Sequence, residues 1–218
     1  MTIVSVIIPT NRPPAIVEPC LAALARQDVA PNTFEVLLVC NGAAEPHDWR
    51  ASHWPFRMIV EDVAEANIAA AKNVALDRAA GSWVVFLNDD VLPAPDFIRQ
   101  HLAAHQSLDQ PALVLGESAW QRYPDETVFD RMIQNTSMVF FYDQMSPHTW
   151  YGFRHAWNLN LSLRREYLVT RRFNAALGPF FFEDLELAWR LEQECGLRVW
   201  YAPEARAIHD HRYTLGGY

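Results

Sequence analysis

Trp83-Val84-Val85-Phe86-Leu87-Asn88-Asp89-Asp90 joins five apolar residues to an amide and two carboxylates. The apolar part reads as a short buried strand, and the acids stand at its exit. Two unit charges about 4 Å apart repel by roughly 4 kcal/mol at the effective dielectric of a protein surface. A hard divalent cation held by oxygens removes that penalty. A solvated acidic turn before the next helix, with Pro93, Ala94, Pro95 and Asp96 at its start, would account for the same residues.

On the N-terminal side, residues 2–8 form a β-branched run that stops at Pro9. Residues 15–26 carry Ile16, Val17, Cys20, Leu21 and Leu24 at helical spacing behind Pro13-Pro14. Residues 34–39 read as a strand ending at Cys40-Asn41-Gly42, residues 57–60 as another, and the Ala-rich residues 64–80 as a helix closing at Gly81. Strands alternating with helices predict an α/β protein with a mostly parallel sheet in three layers. Ligands bind such sheets beyond the carboxyl ends of the strands. Three strand ends carry polar turn residues, Pro9-Thr10-Asn11-Arg12, Cys40-Asn41-Gly42 and Asn88-Asp89-Asp90, and one rim is expected to hold all three.

Residues 116–155 are aromatic-rich and follow no clean period, as expected of a variable lobe. From 157 to 163 alternation is strict. Trp157, Leu159, Leu161 and Leu163 take one face; Asn158, Asn160 and Ser162 take the other, which is expected to line a cleft. Residues 183–195 read as a helix terminated by Gly196, with Glu183-Asp184 in its first turn. The helix macrodipole favours such acids by about 0.3–1 kcal/mol. That is reason enough for them, yet the loop Gly178-Pro179-Phe180-Phe181-Phe182 that delivers them is more than capping needs. Residues 198–201 suggest a short strand, followed by His209-Asp210-His211. His101 and His105 are four apart, but Leu102 stands where a zinc-protease helix has Glu, so both are expected on the helix surface. Trp157 and Trp189 fall on apolar faces and are expected in the core.

A chain of 218 residues, half of them hydrophobic, suits one domain. The formal net charge of -8 argues against a nucleic-acid partner and against a polybasic membrane binder. A negative protein still binds a nucleotide diphosphate where a metal supplies local positive charge. Cys20, Cys40 and Cys195 have no C-x-x-C spacing, which fits a reducing cytoplasm. No apolar run reaches the length of a membrane span, and the first residues lack a leader's charged region, so neither export nor spanning is expected. The ending Gly216-Gly217-Tyr218 is also how a domain cut from a longer chain could finish.

Rival chemistries lack their residues. A dinucleotide oxidoreductase needs glycines after the first strand, and a nucleotidyltransferase needs a Gly-rich N-terminal loop. An aspartyl-phosphate phosphatase needs its nucleophile where Pro9 and Thr10 stand. A non-catalytic sugar or nucleotide binder is the alternative to an enzyme, and the acids Asp90 and Glu183-Asp184 argue against it.

Five segments occur in a telling order: VSVIIPTNRP, EVLLVCNGA, NIAAAKNVALDRAAGSWVVFLNDDVLP, WNLNLSLRREYL and FFFEDLELAWRLEQECGLRVWYAPEARAIHDH. Together they resemble the inverting family 2 glycosyltransferases with the GT-A fold. The resemblance implies an α/β nucleotide-diphospho-sugar transferase fold, three-layer α/β/α with a mostly parallel mixed central sheet. It implies one domain over 1–218, with 1–115 binding the nucleotide sugar and 116–218 binding the acceptor and carrying catalysis. The implied activity is metal-dependent, inverting, hexosyltransferase-like transfer from a nucleotide-diphosphate sugar to a carbohydrate or lipid-linked acceptor, in polysaccharide or glycolipid biosynthesis. The implied setting is cytoplasmic, with peripheral association at the inner membrane face left open.

By the same resemblance Asp184 is the base, with Glu183 the second choice. Asp90 and His209, preferred to His211, hold Mg²⁺ or Mn²⁺. Pro9, Thr10, Arg12, Asn41, Lys72, Asn88 and Asp89 contact the donor, and Asn158 and Asn160 the acceptor. For Lys72 and Arg12, plain solvent-facing positions are the alternative. Two departures matter: neither Cys40 nor Asn41 is the acid the family uses near the base, and Asn88 replaces the first Asp of the metal motif, as in the rhamnosyl-type branch.

Overall fold

The computed structural model describes residues 2–42, 49, 53–178 and 182–213. Its strands are β1 (Val4–Thr10), β2 (Phe34–Asn41), β3 (Arg57–Val63), β4 (Trp83–Leu87), β5 (Val91–Pro93), β6 (Ala112–Trp120), β7 (Trp150–Tyr151), β8 (Asn160–Arg164) and β9 (Arg198–His209). The helices are α1 (Pro14–Leu24), α2 (Ile68–Arg78), α3 (Phe97–Ser107), α4 (Val128–Asn135) and α5 (Glu183–Cys195). One sheet runs in the order β3-β2-β1-β4-β8-β6-β9-β5, with β7 added to β9. Every residue of β1 and β2 is buried, which explains their unbroken apolar runs.

β1, β2, β3 and β4 pair in parallel, as the alternation with α1 and α2 requires. Beyond β4 the sheet is mixed: β8 lies antiparallel between β4 and β6, β6 and β9 are parallel, and β5 and β7 are antiparallel to β9. Several boundaries differ from those the sequence suggests. β1 passes through Pro9 to Thr10, because its pairing with β4 ends at Ile7 and the missing N–H leaves no bond unmade on that side. α2 starts only after Asn67, whose side chain accepts from Ala70 N at 3.0 Å, and it ends before Gly81. Gly81 is instead required by packing, since a Cβ there would meet Ser5 N at 2.6 Å. The 116–155 stretch contains regular structure, including α4 with its Thr127–Asp130 capping box, and β6 continues through residues 115 and 116. β9 is far longer than residues 198–201; it bulges opposite Gly116, where a Cβ would lie 2.1 Å from Ala205 O.

The polar face of β8 does not open on a cleft. It is buried against α3. Asn160 Nδ2 donates to Glu117 O (3.1 Å) and Ala205 O (2.9 Å), so its Oδ1 accepts from His101 Nε2 at 2.8 Å. A neutral His101 protonated there must accept at Nδ1 from Ser162 Oγ (2.8 Å), which in turn accepts from His105 Nε2 (2.8 Å). Both histidines are therefore inward-facing framework residues, and the surface placement expected of them is corrected. Trp157 is buried as expected, whereas Trp189 is 48% exposed, contrary to expectation.

Burial, which disfavours the imidazolium, lowers His101 to about 4 and, with His101 and Arg164 adding to it, His105 to about 3. In the unfolded chain histidine titrates near 6.5. Their contribution is therefore complete above that value and is lost as pH falls toward the folded values, by up to about 2 kcal/mol per histidine at pH 5. With both histidines counted, the melting temperature is expected to fall by up to about 10 °C between pH 7 and pH 5. A melting temperature that rises over this interval would contradict a neutral buried pair.

Candidate active site

The parallel order of β1, β2 and β4 puts their carboxyl ends on one rim, as expected. There Thr10 Oγ1 donates to Asp89 Oδ2 at 2.6 Å and accepts from Arg12 N at 3.1 Å. Arg12 Nη1 lies 3.8 Å from Asp89 Oδ1 and bonds Asp90 Oδ2 at 2.5 Å. Asn88 begins the turn half-buried, and Asn41 closes β2 on the same rim opposite Val63. Pro9 is buried inside β1, so side-chain chemistry at this tip starts with Thr10. Burial pushes the Asp89 acid up, while Thr10 and Arg12 pull it down.

The ladder between β5 and β9 brings the chain's C-terminal histidines to this rim. Val91 pairs with His209, and Asp210 N donates to Asp90 O at 2.8 Å. Asp90, His209 and His211 then offer ligand atoms within 4.8 Å of one another. His211 Nδ1 is 2.9 Å from Asp90 Oδ2 and His209 Nε2 is 3.3 Å from Asp90 Oδ1. Burial alone would raise the Asp90 acid, but His209, His211 and Arg12 outweigh it and hold the carboxyl far below the usual range. His209 Nδ1 is buried with no hydrogen-bond partner, and the buried Asp90 Oδ1 has only the 3.3 Å approach of His209 Nε2. An orphaned polar atom in such a cluster fits a cation. Two imidazoles and one carboxylate suit Mn²⁺ better than Mg²⁺, which prefers oxygen ligands. His211, ranked below His209 from sequence, joins it because residues two apart share a side in extended chain.

Asp184 stands in the first turn of α5, behind Phe182 with its φ of +82°. Its Oδ1 accepts from Leu185 N at 2.8 Å and its Oδ2 from Asn158 N at 3.4 Å. Leu159 O accepts from Asn88 N at 3.4 Å, so the Asn158-Leu159 step touches both Asp184 and the Asp90 turn. Burial raises the Asp184 acid, opposed by the Lys72 charge and assisted by that of Glu183. Asn158 is 6% exposed and its Nδ2 has no partner. Pro179, Phe180 and Phe181 of the aromatic loop lie outside the described residues.

Three expectations need correction. Lys72 is neither a surface lysine nor a rim residue: only 2% exposed, its Nζ bonds Glu183 Oε1 at 2.6 Å, with the rings of Phe86 and Phe173 at 5.8 and 5.0 Å. Glu183 is turned to that ammonium through Oε1, which commits its carboxylate to Lys72. Asn160 is fully buried and committed to His101, Glu117 and Ala205, which leaves nothing for an acceptor. Sequence reasoning also missed Trp120, which stacks on His209 with ring centres 4.6 Å apart. Phe140 bridges Trp120 and Trp157 at 5.8 and 5.2 Å, forming an aromatic wall between the two halves of the site.

The family profile described as Glycosyl transferase family 2 matches residues 5–169. A validoxylamine A glucosyltransferase of Streptomyces hygroscopicus subsp. limoneus is 26% identical, aligned over 87% of this chain and 48% of its own length. The counterpart in Streptomyces hygroscopicus subsp. jinggangensis (strain 5008) is also 26% identical, covering 87% of this chain and 51% of its own. The chain thus spans about half the length of the curated relatives it matches. Among solved structures, S. aureus TarS residues 1–349 in complex with UDP has a TM-score of 0.73 at 16% identity, covering 96% of this chain and 61% of that one. The mannosyltransferase PcManGT from Pyrobaculum calidifontis, in complex with GDP-Man and Mn²⁺, has a TM-score of 0.68 at 21% identity over 94% of this chain and 56% of that one. These likenesses show the fold, which is of the GT-A type.

Proposed function

The chain belongs to glycosyl transferase family 2, and on that premise we propose that it moves a sugar from a nucleotide-diphosphate donor to an acceptor hydroxyl, with inversion. The observation that carries this reading is the buried Asp90-His209-His211 cluster with its unpartnered His209 Nδ1, joined to Asp184 through Asn158-Leu159. Asp90, His209 and His211 would hold a divalent cation, Mn²⁺ before Mg²⁺. Once bound it supplies positive charge for the departing diphosphate.

Asp184 takes the acceptor hydroxyl's proton as that oxygen attacks the anomeric carbon, and the bond from this carbon to the diphosphate oxygen breaks with its electron pair leaving on the nucleotide. Asn158 Nδ2 orients the acceptor. Thr10, Arg12, Asn41, Asn88 and Asp89 line the donor side. In this reading 1–115 supplies most donor contacts and 116–218 the acceptor wall and the base. The acceptor is a carbohydrate or a lipid-linked one, in polysaccharide or glycolipid assembly in the cytoplasm. No helix among the described residues is long and apolar enough to cross a membrane.

The test is a thermal-shift series with UDP, GDP and dTDP, each with and without Mn²⁺. At a hundredfold excess over its dissociation constant a ligand of the folded state adds about 2.7 kcal/mol. For a chain of this size that is a rise of roughly 5–10 °C. The rise is expected for one base only, and only with Mn²⁺. No shift with any diphosphate plus Mn²⁺ would refute the reading.

A further inference from the structure

β9 ends at His209, and residues 210–213 continue without regular structure. Alternation sends their side chains two ways. His209 and His211 face Asp90; Asp210 and Arg212 face the segment leading into α4. Tyr123 Oη donates to Asp210 Oδ1 at 2.6 Å, and Gln121 N to His209 O at 3.0 Å. Arg212 makes five hydrogen bonds: Nε and Nη2 to the two oxygens of Asp130 (3.1 and 2.8 Å), Nη1 to both oxygens of Asp125 (3.1 and 3.0 Å), and Nη2 to Asp125 O (3.0 Å). Its guanidinium lies 5.1 Å from the Tyr123 ring. Asp130 is itself fixed by the capping box of α4.

We propose that Arg212 is a positioning residue for the metal centre: by clamping residues 210–212 to the head of α4, it holds His211 within reach of the ion bound by Asp90 and His209. The inference rests on the metal-dependent reading above. Partly exposed ion pairs contribute little to stability, so two forked carboxylate contacts on one arginine matter chiefly for geometry. The geometry they fix is that of a ligand. His211 has no strand ladder of its own, and its neighbour's side chain supplies the missing restraint. Loss of residues that orient a metal ligand typically weakens metal binding about 10–100-fold.

The test compares Mn²⁺ binding, read from the electron paramagnetic resonance signal of free ion, in wild type, Arg212→Ala, His211→Ala and the double variant. Thermal melts monitor folding. Arg212→Ala is expected to weaken Mn²⁺ binding about tenfold and to raise the Mn²⁺ concentration for half-maximal activity, with kcat at saturating Mn²⁺ nearly kept. The double variant should bind no more weakly than His211→Ala alone. If Arg212→Ala fails to fold, Asp125→Asn, at a side chain 76% exposed, gives the same comparison with a smaller change. Wild-type binding unaffected by Arg212→Ala, or an equal loss on top of His211→Ala, overturns this proposal alone. A wild type that binds no Mn²⁺ overturns the metal reading and this proposal together.

Discussion

Asp184→Asn is expected to lower sugar transfer by roughly two to four orders of magnitude, the range typical of losing a positioned general base. Binding of Mn²⁺ and nucleoside diphosphate should stay close to wild type. Asparagine keeps one acceptor oxygen for Leu185 N, the shorter contact at 2.8 Å, and gives up only the 3.4 Å contact from Asn158 N, because its Nδ2 cannot accept. It cannot take a proton. Burial raises the Asp184 acid, which makes its carboxylate a better base than an exposed aspartate. Donor binding measured beside turnover separates the outcomes: retained binding with lost turnover assigns the base, and near-normal turnover removes Asp184 from that role.

Lys72→Met should have the largest effect on stability, about 3–5 kcal/mol, because it leaves the Glu183 carboxylate buried without its partner. A fall in melting temperature on the order of 10 °C follows for a chain of this length. Lys72→Met combined with Glu183→Leu should recover most of it, since removing both charges also removes their desolvation penalty. Equal losses in single and double variants would mean that the pair acts through packing on Phe86 and Phe173 instead of through charge.

The sequence marked some elements to the residue and missed others for physical reasons. β4 and α5 were legible because their edges coincide with abrupt changes: apolar to acidic at Leu87, and Cys195 to a positive-φ glycine at Gly196. The Asp90 turn and the first turn of α5 were legible for the same cause. β9 was read short because Pro203 interrupts it, and its later inward residues, Ala205 and Ala207, carry too little hydrophobicity to show a period. The α3–β8 contact was hidden because two polar faces meet, His101 and His105 against Asn160 and Ser162, and hydrophobic patterning sees neither. Lys72 was misplaced because a lone lysine defaults to solvent, and its partner lies 111 positions away. Arg212 gave no signal at all, since its function depends on Asp125 and Asp130 in a segment without readable periodicity.

The antiparallel ladder of β5 with the last residues of β9 has a consequence for how the molecule matures. Asp90 and His211 are 121 positions apart, so a chain emerging from the ribosome has no ion site until almost all of the described domain has been made and its final strand has docked. Capture of an ion by Asp90, His209 and His211 would thus be a late event in assembly. A cation present during refolding would trap finished molecules without hastening the earlier steps, and its uptake would time the moment at which the two ends of the fold close on each other.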